Sequence, residues 1–580
     1  MLGSFAGSMN AAGLLSRMAY RHLCVGLTPL RLHVSRFANR VPDGLVAAPT
    51  DLRAIDPYFA EELLRGRIAL AGRVVETGGL SPFQVDYPSL VFEERLHAFG
   101  WLRHIRSDRS SEACKRARRI VAEWIALNGR RVTGTGWSPE IAAQRLIAWL
   151  SHSPVVLFEA DAGFYRRFLK SLAFHVRYLD RIVKHAPDGE TRLRIRIALA
   201  VASIAMPTRL SRITRHGMKL AQEMERQILP DGGHVSRNPR VMLDLLLDLL
   251  PLRQSYINLG HDLPSGLVPA IDRMFPAIRF FRHQGGDLAL FNGATATLAN
   301  ELVSVLRYDE TAGRPSKMLP DVNYHRLATD ETVIIVDTGY PGSAELSRSA
   351  HSGCLSFEMS CGKNRFIVNS GFPKNAAPEY QRASRSTAAH STVTLADTSS
   401  CRLSRSRLLG PIMISGVSQV DSERGTDGNG NDVLRASHDG YLQNFGCYHE
   451  REIELNAAGT KIKGRDLLRA NENTTKTQLQ LISAVSRFHI HPHIQLHQRD
   501  EESVYLEAAD GTTWLFSAPG LEVFVTEDVF MADASGMRPS QQIELPFNLA
   551  NTREIRWIIE RKARAVSRPA IRAISDENCR

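Results

Sequence analysis

The sequence lacks the features that define several large protein classes. No segment holds 18 consecutive apolar residues, so no transmembrane helix is expected. The seven cysteines are scattered and form no Cys-x-x-Cys pair, which argues against a disulfide framework or a zinc ribbon. The chain has no Gly-x-Gly-x-x-Gly after a strand, no P-loop, no His-Glu-x-x-His and no Gly-x-Ser-x-Gly. The common nucleotide-binding, zincin and serine-hydrolase functions are therefore excluded.

Lysine is also scarce, because only 11 of the 72 basic residues are lysine and the rest are arginine. The net charge of +11 reflects either the coding bias of the genome or an anionic partner such as an acidic polysaccharide, a nucleic acid or a membrane surface. The basic residues are spread along the chain and form no short dense runs. This distribution argues against a nucleic-acid partner. The sequence leaves the oligomeric state open.

The first 42 residues contain five arginines and no acidic residue. They lack the order of basic start, apolar core and small-residue cleavage site that marks a signal peptide. We interpret residues 1–50 as an N-terminal extension, with a non-classical export signal as the alternative.

Apolar residues follow two different periods, which predicts two structural halves. A helical period runs through residues 51–318, as in PEIAAQRLIAWL (139–150), and predicts about ten helices. Short β-branched segments bounded by turn residues fill residues 319–565 and predict an antiparallel β-sandwich. Residues 566–580 are assigned to a C-terminal tail. Helices followed by strands indicate two modules, with the cleft between them as the expected ligand site.

Histidines in the second half suggest a site. His351 precedes a strand pair, Asn369 follows it, and His390 lies in RSTAAHST (385–392), so the three are expected to converge. Two imidazoles and an oxygen ligand suit zinc, but an amide oxygen carries no charge. The alternative is a hydrogen-bond network that closes the sheet.

A second histidine cluster is RFHIHPHIQLH (487–497), in which His489, His491 and His493 alternate and would share one face of a strand. The pattern is compatible with a metal site, but a solvated or packed strand end is the preferred interpretation, since Pro492 argues for an edge.

The helical half offers two further candidates. The loop ILPDGGHVSRNPR (228–240) combines a tight turn with His234, Arg237 and Arg240, and is either a site for an anionic sugar or a turn with surface arginines. Trp137 and Arg145 near a helix start are candidates for stacking on and pairing with a sugar acid.

Taken together, these segments resemble the heparinase II/III-like polysaccharide lyases from about residue 85 to 565. WSPEIAAQRLIAWL, EMERQILPDGGHVSRNPR, the strand pair from His351 to Gly371, RSTAAHST and YHEREIELNAAGTKIKGRD carry the resemblance, in the order of the family. The resemblance implies an incomplete α/α toroid followed by an antiparallel β-sandwich. It also implies cleavage of uronate-containing glycans by β-elimination, a zinc held by His, Asp and His, and a location in the bacterial cell envelope or periplasm. A cytoplasmic location is the alternative, because no clear signal peptide is present.

The family's catalytic residues are only partly present. The helix that should carry an Asn-His pair reads GETRLRIRIALAVASIAMP (189–207) and has neither residue. Val241 occupies the position of the family's proton-transferring tyrosine, and Asn369 replaces the family's zinc-binding aspartate.

Other residues are therefore predicted to serve the site. His234 and His390 are the predicted catalytic residues, and His351, Asn369 and His390 the predicted ligands of a possible zinc. The predicted substrate-binding residues are Trp137, Arg145, Arg237, Arg240, Tyr380, Arg382 and Arg385. We expect a lyase of an acidic polysaccharide or oligosaccharide, a catalytically inactive glycan-binding or envelope-assembly protein on the same scaffold, or a glycoside hydrolase with two carboxylates in the cleft.

Overall fold

The computed structural model of the chain describes residues 13–28, 41–108, 110–129, 132–311, 313–472 and 482–563. The predicted C-terminal tail lies outside these ranges, as do residues 1–12 and 29–40 of the predicted N-terminal extension. Within the described ranges, the helices are too short or too polar to cross a bilayer.

The first half is helical and begins with α1, which spans residues 13–28. The helices that follow are α2 (Phe59–Leu64), α3 (Leu90–Ala98), α4 (Leu102–Asp108), α5 (Ser111–Leu127), α6 (Pro139–Ser151), α7 (Ser153–Val156), α8 (Ala162–Ile182), α9 (Glu190–Ala205), α10 (Leu210–Gln227), α11 (Pro239–Asn258), α12 (Leu267–Phe281) and α13 (Ala299–Leu306). Successive helices pack side by side around α6, α9 and α11 as an incomplete α/α toroid. The predicted fold of this half is confirmed.

Local sequence explains where these helices start. The hydroxyl of Ser110 accepts a hydrogen bond from the backbone N–H of Ala113 at 3.2 Å and caps α5. α6 starts at Pro139, whose missing N–H would have no partner in the first helical turn. The start of α6 agrees with the helical segment PEIAAQRLIAWL (139–150) found in the sequence.

A short hairpin interrupts residues 51–318, for which the sequence predicted helices joined by loops. β1 (Arg67–Leu70) and β2 (Arg73–Glu76) pair in antiparallel register. Ala71 and Gly72 between them adopt left-handed backbone angles, φ 53° and 72°, which close a tight turn. Such a turn needs only two residues, so it does not change the helical spacing of apolar residues in the surrounding sequence.

The second half consists of antiparallel strands. They are β3 (Met318–Leu319), β4 (Tyr324–Ala328), β5 (Thr332–Asp337), β6 (Phe357–Cys361), β7 (Asn364–Val368), β8 (Val393–Leu395), β9 (Arg402–Leu403), β10 (Met413–Ser415), β11 (Val420–Thr426), β12 (Asp432–His438), β13 (Cys447–Leu455), β14 (Lys461–Ala470), β15 (Ser483–Ile490), β16 (Ile494–Asp500), β17 (Ser503–Ala508), β18 (Thr513–Ser517), β19 (Phe524–Asp533), β20 (Gly536–Asn548) and β21 (Glu554–Ala563). Two short helices, α14 (Pro378–Ala383) and α15 (Leu442–Phe445), lie in the connections.

All of these strands except β9 and β10, which pair with each other, build two large sheets that pack as a sandwich. One has eight strands in the order β11-β12-β13-β14-β21-β18-β17-β16, and the other has nine, with β19-β20-β15-β7-β6-β5-β4-β3 along its path and β8 paired to β15. Phe357 of one sheet stacks on Trp557 of the other, with ring centroids 5.5 Å apart. A Cβ on Gly464 would come within 2.0 Å of the Trp557 indole, so only glycine fits there. The predicted antiparallel sandwich is confirmed.

A turn of the helical half ties the two halves together. The Asp231 carboxylate accepts hydrogen bonds from the backbone N–H groups of Asp321 and Val322 at 2.8 and 3.0 Å. Gly232 has φ 83°, and a Cβ there would lie 1.9 Å from the Arg273 carbonyl oxygen. The two glycines after Asp231 thus allow the turn to press against α12 and the start of the sandwich.

Candidate functional site

Two histidines of the β half meet as the sequence predicted. Nδ1 of His351 lies 3.0 Å from Nε2 of His390, and both residues are buried. Nδ1 of His390 lies 2.7 Å from the Ser386 carbonyl oxygen, so this nitrogen carries the proton and Nε2 is an acceptor. His351 therefore donates from Nδ1, and its Nε2 is left as a buried acceptor without a partner in the described structure.

Burial controls the charge of this pair. It lowers the pKa of His390 to about 4, and it lowers the pKa of His351 well below the usual range, with the neighbouring His390 and Arg385 adding to the effect. Both imidazoles are neutral near pH 7 as a result. A neutral imidazole with such a low pKa is a poor general base at that pH.

Asn369 lies beside the pair but is already engaged. Its side-chain oxygen accepts a hydrogen bond from the Ser391 backbone N–H at 3.1 Å, and its backbone N–H donates to the Glu358 carboxylate at 3.1 Å. The described residues contain no group of three or more His, Cys, Asp or Glu arranged to hold a metal ion. Two imidazoles and an engaged amide do not match the His-Asp-His set that the resemblance implies for zinc.

His234 is placed as a structural residue of the turn after α10. Its Nδ1 accepts from the Ser236 hydroxyl at 2.8 Å, and its Nε2 donates to the Gln227 side chain at 2.9 Å. The residue is 1% exposed, and burial lowers its pKa to about 3. Both ring nitrogens are occupied, so the predicted role of His234 as a catalytic base is not supported by its position.

Arg237 joins the two halves and does not face a ligand. Its guanidinium forms an ion pair with Asp337 of β5, and its Nε donates to the Val322 carbonyl at 2.8 Å. The same group stacks over the Tyr324 ring, 4.7 Å from its centroid. The arginine side chain is only 9% exposed. The predicted contact of Arg237 with a substrate carboxylate would require breaking this buried ion pair.

Asn292 extends this contact to the histidine pair, a connection that the sequence did not reveal. Its side-chain nitrogen donates to the Tyr324 hydroxyl at 2.6 Å and to Asp337 at 3.1 Å. Its oxygen accepts from the backbone N–H of His351 at 3.1 Å. The Tyr324 hydroxyl in turn donates to the Arg237 carbonyl at 2.9 Å. These residues form a continuous polar network between the helical half and the buried histidines.

Trp137 and Arg145, predicted to bind a sugar acid, lie in the core of the helical half. Arg145 is 0% exposed, donates to His175 at 2.9 Å, and lies over the Trp124 ring at 3.9 Å. Trp137 is 3% exposed, and its indole N–H donates to the Asn128 carbonyl at 2.9 Å. Neither residue is placed to touch a ligand.

The residues around α14 divide into two groups. Arg385 is buried and donates to the carbonyls of Ala350, Ser347 and Pro411 at 2.7–2.9 Å, so it holds loops together. Arg382 is exposed and donates to the Ser404 carbonyl at 3.1 Å, and Tyr380 is 49% exposed. Of these three predicted substrate-binding residues, Tyr380 and Arg382 remain accessible.

The histidines at the end of β15 do not share a face. His489 pairs with Asp528 at 2.6 Å and contacts the Ala388 carbonyl at 3.0 Å. β15 ends at Ile490, so His491 and His493 lie in the turn before β16 and pack ring to ring with centroids 4.9 Å apart. The end of the strand breaks the alternation on which a three-histidine site would depend.

Charged residues gather where the N-terminal ends of α3, α6, α9 and α11 face the segment after β7. We call this group the charge cluster, and its members are Glu94, Glu140, Glu190, Arg194, Arg240, Asp244 and Lys374. Arg194 pairs with Glu190 at 2.5 Å, and Arg240 pairs with Asp244 and with Glu301 of α13 at 2.9 and 2.7 Å. Arg240, predicted to bind substrate, is thus already neutralised by two carboxylates.

The carboxylates of the charge cluster interact with one another. Burial raises the pKa of Glu190 to about 7, opposed by Arg194 and reinforced by Glu140 and Asp244. Burial also raises the pKa of Glu94, and Glu140 adds to this effect. Burial alone would raise the pKa of Asp244, but Arg240, Lys374 and Arg194 lower it to about 2. Four acids face three bases in this cluster, which does not favour an anionic ligand.

Comparisons with known proteins agree with this fold. Residues 311–558 match the domain family described as Heparinase II/III-like, C-terminal. The crystal structure of heparinase III is similar, with a TM-score of 0.70 and 13% sequence identity. The match covers 94% of this chain and 91% of the heparinase III chain. The heparan sulfate lyase HepC from Pedobacter heparinus gives a TM-score of 0.56 at 14% identity, over 94% of this chain and 89% of its own.

Sequence similarity also extends to a curated bacterial protein. FtsZ-localized protein C of Caulobacter vibrioides (strain NA1000 / CB15N) is 29% identical over 503 residues, which cover 85% of each chain. The similarity therefore spans the helical half as well as the sandwich. Residues 311–558 thus carry a Heparinase II/III-like, C-terminal domain, and the chain as a whole has the toroid-plus-sandwich fold of the heparinase III structure.

Proposed function

We propose that this protein is an envelope-assembly protein that associates with FtsZ, built on a polysaccharide lyase scaffold that no longer performs β-elimination. The observation that carries the proposal is the replacement of the family's proton-transferring tyrosine by Val241, which is 5% exposed on α11. An apolar side chain at that place neither takes nor gives a proton.

The residues that were expected to compensate are held by other contacts. His234 has both ring nitrogens hydrogen bonded, and Arg237 is paired with Asp337. The elimination reaction also needs a cationic group that neutralises the uronate carboxylate. Arg194 and Arg240 each already face a carboxylate of the charge cluster. The lyase scaffold is thus present without a free base or a free anion-binding group among these candidates.

The relative supports the assembly role. FtsZ-localized protein C is similar along 85% of its length, so the likeness is not confined to one domain. Buried free thiols are the state that a reducing compartment maintains, and the structure has them at Cys24, Cys354, Cys361, Cys401 and Cys447. We therefore propose that this chain also localises with FtsZ, on the cytoplasmic side of the bacterial envelope.

Cleavage of an acidic glycan by elimination is the second candidate, and one feature favours it. Nε2 of His351 is a buried acceptor without a partner in the described structure, which is the capacity that a proton acceptor needs. Its lowered pKa makes it a weak base. Zinc at His351 and His390 would belong to this candidate, and the donor set present supplies no carboxylate for it.

The test of the assembly role is co-sedimentation of the full chain with FtsZ of the source bacterium. We expect the protein to pellet with FtsZ polymerised by GTP and to stay in the supernatant with FtsZ kept in GDP. A protein that stays in the supernatant in both mixtures, while a fluorescent fusion shows no accumulation at the division site, would refute the FtsZ association.

A further inference from the structure

A cavity of about 220 Å³ lies apart from the histidine pair and the charge cluster. Its walls come from segment 287–297 after α12, from the start of β7, from the turn after β15 and from the end of β19. The polar lining residues that matter here are Asp287, Thr297, Lys363, Arg365 and His491, and the apolar wall includes Phe530. Neither the family resemblance nor the proposed function assigns a role to this cavity.

Two hydrogen-bond donors of the lining are buried without a partner. Arg365 is 6% exposed, and one of its terminal nitrogens donates to Glu358 at 2.9 Å. Its Nε has no partner in the described structure, and neither has the Thr297 hydroxyl. Leaving a buried donor unpaired is costly, so a ligand acceptor at this point would recover a hydrogen bond.

His491 adds a third donor. Its Nδ1 accepts from the backbone N–H of His493 at 3.3 Å, which places the ring proton on Nε2. Burial lowers the pKa of His491 to about 3, and Arg365 and His493 contribute to the same effect. The imidazole is therefore neutral near pH 7 and donates from Nε2.

We infer that this cavity binds a small organic oxyanion, a carboxylate or phosphate carried on a ring-sized apolar or sugar body. The anionic group would accept from Arg365 and Thr297, near the exposed ammonium group of Lys363. The body would lie against Phe530 and Leu290, which are buried in this wall. A volume of about 220 Å³ leaves room for a body beyond the anionic group, because one water molecule needs only about 10–15 Å³ of such cavity volume.

The charged residues of the lining allow a test of whether the cavity prefers an anionic or a neutral ligand. Asp533 accepts from the Ser535 hydroxyl at 2.6 Å and lies 3.7 Å from Arg538, so its charge is compensated. Asp287 has no ion pair of this kind in the described structure. An oxyanion is repelled by Asp287 and attracted by Lys363, whereas a neutral sugar is indifferent to both charges.

The experiment is calorimetric titration of the full chain with benzoate, glucuronate and inorganic phosphate, with benzyl alcohol and glucose as neutral counterparts. We expect benzoate or glucuronate to bind with one site per chain and more tightly than its neutral counterpart. Lys363→Gln and Thr297→Val should each weaken this binding by about tenfold, and Asp287→Asn should tighten it by about threefold. Lys184→Gln, at an exposed lysine of the helical half, is the matched control and should leave binding unchanged.

Several outcomes overturn the inference. They are the absence of saturable binding of benzoate and glucuronate at millimolar concentration, equal binding of the neutral counterparts, and binding that Lys363→Gln and Asp287→Asn do not change in opposite directions. Binding of phosphate that exceeds that of both organic anions would also contradict it. The three variants change partly exposed side chains, and unfolding temperatures equal to that of the wild type would confirm that they fold.

Discussion

Replacing Arg237 by methionine should destabilise the fold, because this arginine is a structural link between the two halves. The substitution leaves the Asp337 carboxylate, whose side chain is 4% exposed, without its cation. Breaking a buried ion pair by removing one partner costs about 3–5 kcal/mol. Asp337 keeps hydrogen bonds from the Gly339 N–H at 3.0 Å and from Asn292 at 3.1 Å, so we expect the lower end, about 3 kcal/mol.

The measurement is urea unfolding followed by tryptophan fluorescence, with the free energy taken from the first transition because a two-domain chain need not unfold in one step. Arg212→Met, at an exposed arginine of α10, is the control and should change the free energy of unfolding by less than about 0.5 kcal/mol. The double variant Arg237→Met with Asp337→Leu should lose less than the sum of the two single variants. A loss for Arg237→Met as small as that of the control would refute the structural role and restore Arg237 as a free anion-binding group.

Three further predictions follow from the buried polar groups. His234→Ala should lower the free energy of unfolding by about 2–4 kcal/mol, since it removes the partner of the Gln227 side-chain oxygen and of the Ser236 O–H and opens a cavity. A loss below about 1 kcal/mol would contradict the packing described. The pKa of Glu190 is raised from 4.5 to about 7, so the native state binds the extra proton and the contribution of Glu190 to stability falls as the pH rises from 4.5 to 7. The unfolding temperature of Glu190→Gln relative to wild type should therefore increase across that pH range, and a constant difference would count against the raised pKa. Asn369→Asp should increase the zinc content of the purified protein in elemental analysis, because it supplies the missing carboxylate beside His351 and His390, and an unchanged content would end the metal hypothesis for this site.

The fold was predictable because it depends on patterns that repeat along the chain. The helical period up to α13 and the β-branched segments from β3 onward predicted a helical half followed by an antiparallel sandwich, and the resemblance to the heparinase II/III-like lyases implied the toroid. The hairpin of β1 and β2 was missed, since two strands of four residues are too short to change the period of a long helical region.

The site was only partly predictable, because it depends on which distant residues saturate each other. His351 and His390 were paired correctly from the strand pair between them. Nothing near Arg237 in the sequence shows that Asp337, 100 positions away, takes its charge.

The same limit explains the misplaced aromatic site. Trp137 and Arg145 have the composition of a sugar-binding pair, yet Arg145 lies inside the helical core, where His175 and the Trp124 ring surround its guanidinium. Residue types suggested the chemistry, and only the packing showed that the groups are enclosed.

The central claim is that this lyase scaffold does not carry out β-elimination, and an elimination assay on the purified wild-type protein tests it most directly. Heparan sulfate, chondroitin, hyaluronan and alginate would be offered in turn, and the ultraviolet absorbance of an unsaturated uronate product would be followed, with an active heparinase as the positive control. We predict no product above the rate of a heat-denatured sample on any of the four glycans. Product that forms in proportion to the concentration of this protein, and that is lost in His351→Ala, would contradict the claim and establish the protein as a lyase.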